Sequence, residues 1–184
     1  MSARAAALVT VMAITVLAGC GGGSRRSLGV PLTNVGEGDR LPERRVETAV
    51  EFPAPPAREK LIPFRTSATA EAAHFVDPAS IVVAADGTVR ATIVERYPSA
   101  QESVRYEGLR CATRERRTFG YGRPDGAWIE ARPSEWRRMT AFINADASSV
   151  LYREFFCPNG KPIATVNEGI NALLRGGHPS IATQ

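Results

Sequence analysis

The chain has 184 residues, of which 43% are hydrophobic, and it carries a formal net charge of +4. It has three cysteines and only two histidines, His74 and His178. Histidines this far apart leave too few ligands for a metal site, so we expect neither a metal nor another cofactor.

The first twenty residues have the parts of a bacterial export signal. A short start with one positive charge is followed by a run from Ala5 to Ala18 that contains no charged residue. That run is too short to cross a hydrocarbon core, which needs roughly 20 apolar residues. The small residues at its end are typical of a cleavage site. We therefore predict that residues 1–19 are a signal peptide.

Leu17-Ala18-Gly19-Cys20 also resembles the bacterial lipobox. The resemblance implies that the Cys20 sulfur receives a diacylglyceryl group and that the new N-terminus is acylated. Two or three acyl chains hold a protein stably on a membrane, at about 0.8 kcal/mol per buried CH₂. Gly21 stands where the best-known inner-membrane retention signal has Asp, which favours the outer membrane facing the periplasm. A simple secreted protein is the alternative.

The other two cysteines, Cys111 and Cys157, form an even pair once Cys20 is lipidated. In an oxidising compartment such a pair favours a structural disulfide. The loop it would close is worth about 4 kcal/mol in the chain-entropy description. A redox-active pair, normally Cys-x-x-Cys, and a metal site are the alternatives.

Residues 20–60 are rich in glycine and proline, with charges of both signs, and we interpret them as a tether. Val46, Thr48, Val50 and Phe52 alternate with polar residues or alanine, which indicates a strand that docks on the following domain. Residues 61–184 are predicted to form one domain.

The domain begins with strand patterns. Leu61 to Phe64 suits an edge strand, and Asp77-Pro78 resembles a cap with proline at the first position of a short helix. Asp86-Gly87 predicts a hairpin between residues 81–85 and 88–97. In its second arm Val89, Ala91, Ile93 and Tyr97 should face the core. The opposite face, with Arg90, Thr92 and Arg96, should be wet. The patterns at 102–111, 113–121 and 127–131 complete an antiparallel meander of about five strands.

Helical patterns follow the strands. Residues 146–156 have apolar positions at helical spacing and stop at Pro158-Asn159-Gly160. Thr165 and Glu168 form a capping-box pattern before a second helix that ends at Gly176-Gly177. Strands followed by two C-terminal helices predict an α+β domain. The large aromatic side chains are interpreted as core: Trp128, Trp136, Phe142, Tyr152, Phe155 and Phe156.

Three segments carry a family resemblance: His74–Ile81 (HFVDPASI), Tyr106–Cys111 (YEGLRC) and Leu151–Pro158 (LYREFFCP). They resemble the cryptic neisserial protein family of small proteobacterial envelope proteins, and the resemblance covers about Leu61 to Arg175. It implies that both domain cysteines belong to the fold, which suits a disulfide. It implies no catalytic or binding residue.

The chain contains none of the common hydrolase, metalloprotease or phosphate-loop motifs. Asp77 fits a helix cap better than a general base, and His74 fits a partly buried structural histidine. Glu107 and the nearby Arg110, on one predicted strand, are candidate ligand-binding residues, and Glu107 is the acid with the best claim to a site. An exposed ion pair across two strands is the simpler interpretation.

Basic charge is concentrated between Arg90 and Arg138, and arginines outnumber lysines 21 to two in the whole chain. Arg114, Arg116 and Arg117 have the chemistry to bind phosphates or carboxylates. Alternating charges on a solvated strand explain them equally well. We expect a non-enzymatic envelope module that contacts another envelope protein or an anionic polymer, not nucleic acid. The alternatives are an enzyme acting on envelope polymers, and an arginine-patch binder of anionic lipid or saccharide.

Overall fold

The computed structural model of the protein describes residues 46–139 and 146–181. In these residues an antiparallel sheet has the order β1-β2-β3-β4-β5-β6, and β7 pairs with β5 outside that path. Consecutive strands pair along the sheet, which confirms the predicted meander. The strands are β1 (Ile62–Phe64), β2 (Ala73–Val83), β3 (Thr88–Arg96), β4 (Glu102–Arg110), β5 (Glu115–Gly122), β6 (Trp128–Glu130) and β7 (Arg137–Arg138).

Two longer C-terminal helical segments follow the strands, separated by a short 3-10 helix over Pro158–Gly160. The first, α1 (Ala147–Val150), continues as a π-helical segment over Leu151–Phe156. The second, α2 (Val166–Arg175), begins where the Thr165 hydroxyl accepts the Glu168 amide at 3.1 Å. It ends at Gly176, whose φ of 75° lies in the left-handed region that glycine adopts without strain. The predicted α+β class is confirmed.

The helices cover one face of the sheet and form the main core with it. Val76 and Ile93 of the sheet are fully buried together with Val150 and Phe155 of the first helical segment. A disulfide between Cys111 and Cys157 joins the end of β4 to the end of the π-helical segment, with Cα atoms 5.3 Å apart. The predicted disulfide is therefore present, and both cysteines are buried.

The opposite face of β3 was predicted to be wet, and this prediction is wrong. Thr92 is fully buried, and Arg90 is only 3% exposed. The reason is that residues 46–60, here called the N-terminal arm, lie over that face. These residues were predicted to belong to the tether, with Val46 to Phe52 docking on the domain as a strand. The segment does dock on the domain, but it forms no strand. The strand pattern of β3 alone does not show that a segment about 40 residues earlier in the sequence covers it. Tyr97, predicted on the core side, instead follows the end of β3 and is exposed.

The N-terminal arm is held by aromatic, ionic and backbone contacts. Phe52 stacks on Trp128 at a centroid distance of 5.4 Å. Arg90 donates to the carbonyls of Ala49 at 3.0 Å and Thr48 at 2.8 Å. Trp128 and Trp136, predicted as core, are half-buried beside this arm, whereas Tyr152, Phe155 and Phe156 are buried in the main core. Phe142 and the residues from 20 to 45 lie outside the described part of the chain.

Asp77-Pro78 was predicted to start a short helix but lies inside β2. The pairing of β2 with β3 shifts between Asp77 and Val82, which marks a bulge. Pro78 lacks an amide hydrogen and is tolerated there because a bulge leaves residues unpaired. The Asp77 carboxylate accepts the Ala79 amide at 3.1 Å, so the side chain caps a bulge instead of a helix. None of the helices within the described ranges has the length and apolarity needed to cross a membrane.

Candidate functional site

A polar cavity of about 380 Å³ opens beside β4 and β5, next to the segment that leads into β7. Four arginines and two glutamates contribute to its wall, so the lining residues carry two more positive than negative charges. This cavity, here called the arginine cavity, is lined by Arg105, Glu107, Arg116, Thr118, Tyr121, Arg132, Pro133, Glu135 and Arg137.

Glu107 lies in the cavity wall and is only 4% exposed. Its Oε1 atom accepts hydrogen bonds from Arg105 Nε at 2.9 Å and from the Thr118 hydroxyl at 3.0 Å. The Ser148 hydroxyl donates to its Oε2 atom. A buried carboxylate needs such partners to offset its lost hydration, and Glu107 has three. It is therefore fixed in one position by strands β4 and β5 and by helix α1.

Arg105 connects Glu107 to a second carboxylate. Its Nη1 atom lies 2.7 Å from Glu95 Oε1, and Glu95 in turn lies 3.5 Å from His74 Nε2. Burial alone would lower the pKa of Arg105, but the carboxylates of Glu107 and Glu95 raise it, so the guanidinium stays charged. Burial lowers the pKa of His74 despite its contact with Glu95, which favours the neutral ring at pH 7.

Arg116 ties the first helical segment to the cavity. Its Nη1 atom donates to Asp146 Oδ2 at 2.6 Å and to the Ser148 hydroxyl at 3.1 Å. Asp146 also caps α1, since its other oxygen accepts the Ser149 amide at 2.8 Å. The network therefore runs from the start of α1 through Ser148 to Glu107.

Arg132 and Arg137 differ from these two arginines because both are exposed and neither forms a salt bridge within residues 46–139 and 146–181. Arg137 lies directly opposite Arg116 in the antiparallel pair of β5 and β7. Like charges placed opposite each other on one sheet face repel. The arginine cavity therefore has a positive side, with two guanidinium groups that are unpaired among the described residues.

The CNP1-like family model matches residues 42–174, more than two thirds of the chain. The chain belongs to the CNP1-like family. No curated protein and no solved structure matches it.

The CNP1-like match contains both disulfide cysteines, the N-terminal arm and every residue of the arginine cavity. It begins 22 residues after Cys20, so the predicted leader and lipid-attachment residue lie outside it. The match supports the family predicted from the sequence, and it includes residues 46–60, which the sequence analysis had assigned to the tether.

Of the five predicted binding residues, the CNP1-like fold places only Glu107 and Arg116 in the arginine cavity. Arg117 points to the other face of β5 because side chains alternate along a strand. There it contacts Glu47 of the N-terminal arm at 2.9 Å. Arg110 lies 4.0 Å above the Trp136 ring and 3.2 Å from Glu115. Arg114 lies in the turn between β4 and β5, where its carbonyl accepts a hydrogen bond from the Met139 amide.

Arg105, Arg132 and Arg137 were missed by the sequence analysis. One signal could have found Arg105: it is two residues before Glu107 on a predicted strand, which places both side chains on one face. Arg137 belongs to a strand of only two residues, and Arg132 belongs to no strand. Neither has a periodic pattern that reveals its position.

The CNP1-like domain has a second cavity, of about 280 Å³, on the side of the N-terminal arm. Pro55, Pro56 and Trp128 contribute apolar surface to it. Arg58 and Glu102 form an ion pair at 3.1 Å on its rim. Burial alone would raise the pKa of Glu102, but hydrogen bonds from Arg96 and Arg58 lower it. Asp77 lines neither cavity.

Proposed function

We propose that this CNP1-like protein is an exported lipoprotein, anchored through Cys20, that binds another component of the cell envelope without transforming it. The Cys111–Cys157 bond supports export because disulfides persist in oxidising compartments. It also uses two of the three cysteines, which leaves Cys20 for lipid. The proposed location is the outer membrane, facing the periplasm.

The arginine cavity is the observation that favours binding over catalysis. Both carboxylate oxygens of Glu107 accept hydrogen bonds from the protein's own side chains. The Ser148 hydroxyl donates to that carboxylate, but Ser148 is fully buried and does not line the cavity. A nucleophile must reach the substrate that it attacks. Among the described residues the cavity offers charge and hydrogen bonds, which suit recognition.

An enzyme acting on envelope polymers is the second candidate. One observation favours it, namely a buried carboxylate in the wall of an open polar cavity. Glu107→Gln separates the two candidates. A general acid or base loses its function in this variant, whereas a binding site that uses the arginines retains its ligand, provided that thermal unfolding shows the variant to be folded.

The anchor is tested on the full-length protein in a bacterial host that lipidates exported proteins. We expect mass spectrometry of the mature N-terminal peptide to find acyl chains on Cys20, and membrane fractions to retain the protein. Cys20→Ala is the control and should leave the protein unlipidated. An N-terminal peptide that starts elsewhere, or unmodified Cys20 in the membrane fraction, would contradict the proposal.

Binding is tested by crosslinking in cells, with a photoreactive residue placed at Tyr121, whose side chain lines the cavity and is exposed. The matched position is Val82, which is exposed on β2 and lines neither cavity. A reproducible envelope adduct from position 121 that is absent from position 82 supports a binding module. Identical adducts from both positions would argue against a specific surface.

A further inference from the structure

We propose that the arginine cavity binds a phosphate monoester, with Arg132, Arg137 and Arg116 around the phosphate. This inference deepens the proposed function, since it names the chemical class recognised by the binding module. It begins from the cross-strand pair of Arg116 and Arg137, in which two guanidinium groups share one face of the sheet.

The repulsion between Arg116 and Arg137 would be relieved by an anion bound between them. Asp146 neutralises Arg116 from the α1 side, at 2.6 Å. Arg137 and Arg132 have no salt-bridge partner in the described parts of the chain, and Glu135 is the only other acid in the cavity wall besides Glu107. A bound anion between the arginines would convert their repulsion into attraction. The uncompensated charge is thus located at one side of a cavity instead of being spread over the surface.

Phosphate fits this arrangement better than a single carboxylate does. A phosphate monoester carries a charge of about −1.5 to −2 at pH 7 and has three strong acceptor oxygens. Guanidinium groups bind such oxygens in pairs, through two parallel N–H donors. Two arginines that are unpaired among the described residues, beside a third, therefore match the acceptor count, and their positive excess over Glu135 favours an anion.

The rest of the wall is fixed before any ligand arrives. Arg105 is held between Glu95 and Glu107, at 2.7 and 2.9 Å. The hydroxyls of Ser148 and Thr118 donate the remaining hydrogen bonds to the Glu107 carboxylate. A wall whose polar groups already satisfy each other does not collapse onto the ligand, so little ordering cost remains on binding.

The cavity also limits the size of the ligand. Its volume of about 380 Å³ lies at the lower end of the range for small-molecule sites. The exposed Tyr121 ring on its wall offers an apolar face beside the charged groups. A phosphate on a single sugar ring and a phosphate on a lipid glycerol both fit this description, and they share the group that the arginines recognise.

The test is isothermal titration calorimetry on full-length protein in detergent, with three probes: glucose 1-phosphate, glycerol 1-phosphate and unmodified glucose. We expect both phosphates to bind and glucose not to bind. Tighter binding of glucose 1-phosphate supports the proposal and indicates a saccharide source, whereas equal binding of the two phosphates supports it and indicates recognition of the phosphate alone. Equal binding of glucose, or no binding of either phosphate, overturns it.

Variants assign the binding to the cavity. Arg132→Ala and Arg137→Ala should each weaken phosphate binding at least about tenfold, since each removes a charge-assisted hydrogen bond. Arg138→Ala is the matched control, because it is exposed in the same strand but does not line the cavity. It should bind as the wild type does. A loss equal to that of Arg137→Ala would overturn the assignment.

The anchor experiment keeps this inference separate from the proposed function. If the wild-type protein is lipidated and captures a partner but does not bind phosphate, only the phosphate site is overturned. Intact phosphate binding in a protein without lipid on Cys20 overturns the anchor alone.

Discussion

Phe52 stacks on Trp128 with ring centroids 5.4 Å apart and ring planes 13° from parallel. The same Trp128 donates its indole N–H to the Pro53 carbonyl at 2.7 Å. Phe52 also meets Tyr106 edge-on at 6.3 Å. The N-terminal arm is therefore held to the sheet by a three-ring cluster and a hydrogen bond. The face of β3 that carries Arg90 and Thr92 is therefore buried beneath the N-terminal arm.

Phe52→Ala should lower the free energy of unfolding by about 2 kcal/mol. The half-buried ring loses its apolar contacts and its aromatic pairing, each worth about 1 kcal/mol or more. The measurement is urea unfolding followed by tryptophan fluorescence, which also reports the changed environment of Trp128. Val46→Ala is the control, since Val46 is 91% exposed at the start of the described chain. Equal stability of the two variants would show that the stacked pair contributes nothing.

Gly120→Ala should displace the N-terminal arm. A Cβ atom on Gly120 would lie 2.5 Å from Phe52 Cε1 and 2.8 Å from the Ile129 carbonyl oxygen. The phenyl ring can move away, but the carbonyl belongs to the paired strand β6, so the β5–β6 pairing must shift as well. We expect a loss of about 1–3 kcal/mol in stability and faster proteolysis within residues 46–60.

The control for that variant is Gly177→Ala, because no heavy atom lies within 4 Å of a Cβ atom at Gly177. It should be digested at the wild-type rate. Unchanged digestion of Gly120→Ala, measured by mass spectrometry of the cleaved peptides, would show that the arm and β5 do not touch in solution.

Local sequence signals predicted the elements of the fold. Asp86-Gly87 set the β2–β3 hairpin, and Thr165 with Gly176 set the ends of α2, because each acts on backbone groups within a few residues. The prediction from Asp77-Pro78 was wrong because this residue pair suits both a helix start and a β-bulge. Pairing of β2 with β3 selects the bulge, and that pairing cannot be predicted from the two residues alone.

The candidate site was less predictable than the fold. Glu107 and Arg116 were identified by residue type, but Arg117 was grouped with Arg116 because the two are adjacent in sequence. Adjacent strand residues point to opposite faces, so only one of them lines the cavity. Arg137 reaches Arg116 through a pairing of β5 with a two-residue strand. Such short strands are defined by tertiary contacts instead of by their own sequence.

Removal of the disulfide by the double substitution Cys111→Ser, Cys157→Ser should lower the free energy of unfolding by about 4 kcal/mol. The bond closes a loop of 46 residues in sequence separation, and opening it increases the entropy of the unfolded chain. Chemical unfolding of the oxidised wild type and the variant measures the difference. Wild type in reductant is the second comparison and should match the variant. A variant as stable as oxidised wild type would mean that the bond does not form in the purified protein.

Asp77→Asn should stabilise the protein at neutral pH, by about 1 kcal/mol. Burial raises the pKa of Asp77 above its ordinary value, although the Ala79 amide and Lys60 act in the opposite direction. The folded state therefore binds the proton more tightly than the unfolded chain does. Wild-type stability from this group is highest below the ordinary aspartate pKa of 3.8 and is lost as pH rises through the raised folded value.

The stability difference between Asp77→Asn and wild type should accordingly be largest near pH 7 and shrink as pH falls towards 3.8. Asparagine keeps an oxygen for the Ala79 amide, so the bulge retains its hydrogen bond. Asp125→Asn is the matched control, because the exposed Asp125 carboxylate accepts the Ala127 amide in the same i to i+2 arrangement. Unfolding of all three proteins across this pH range measures the effect. A constant difference, or a larger one at acidic pH, would show that Asp77 is not destabilised by its burial.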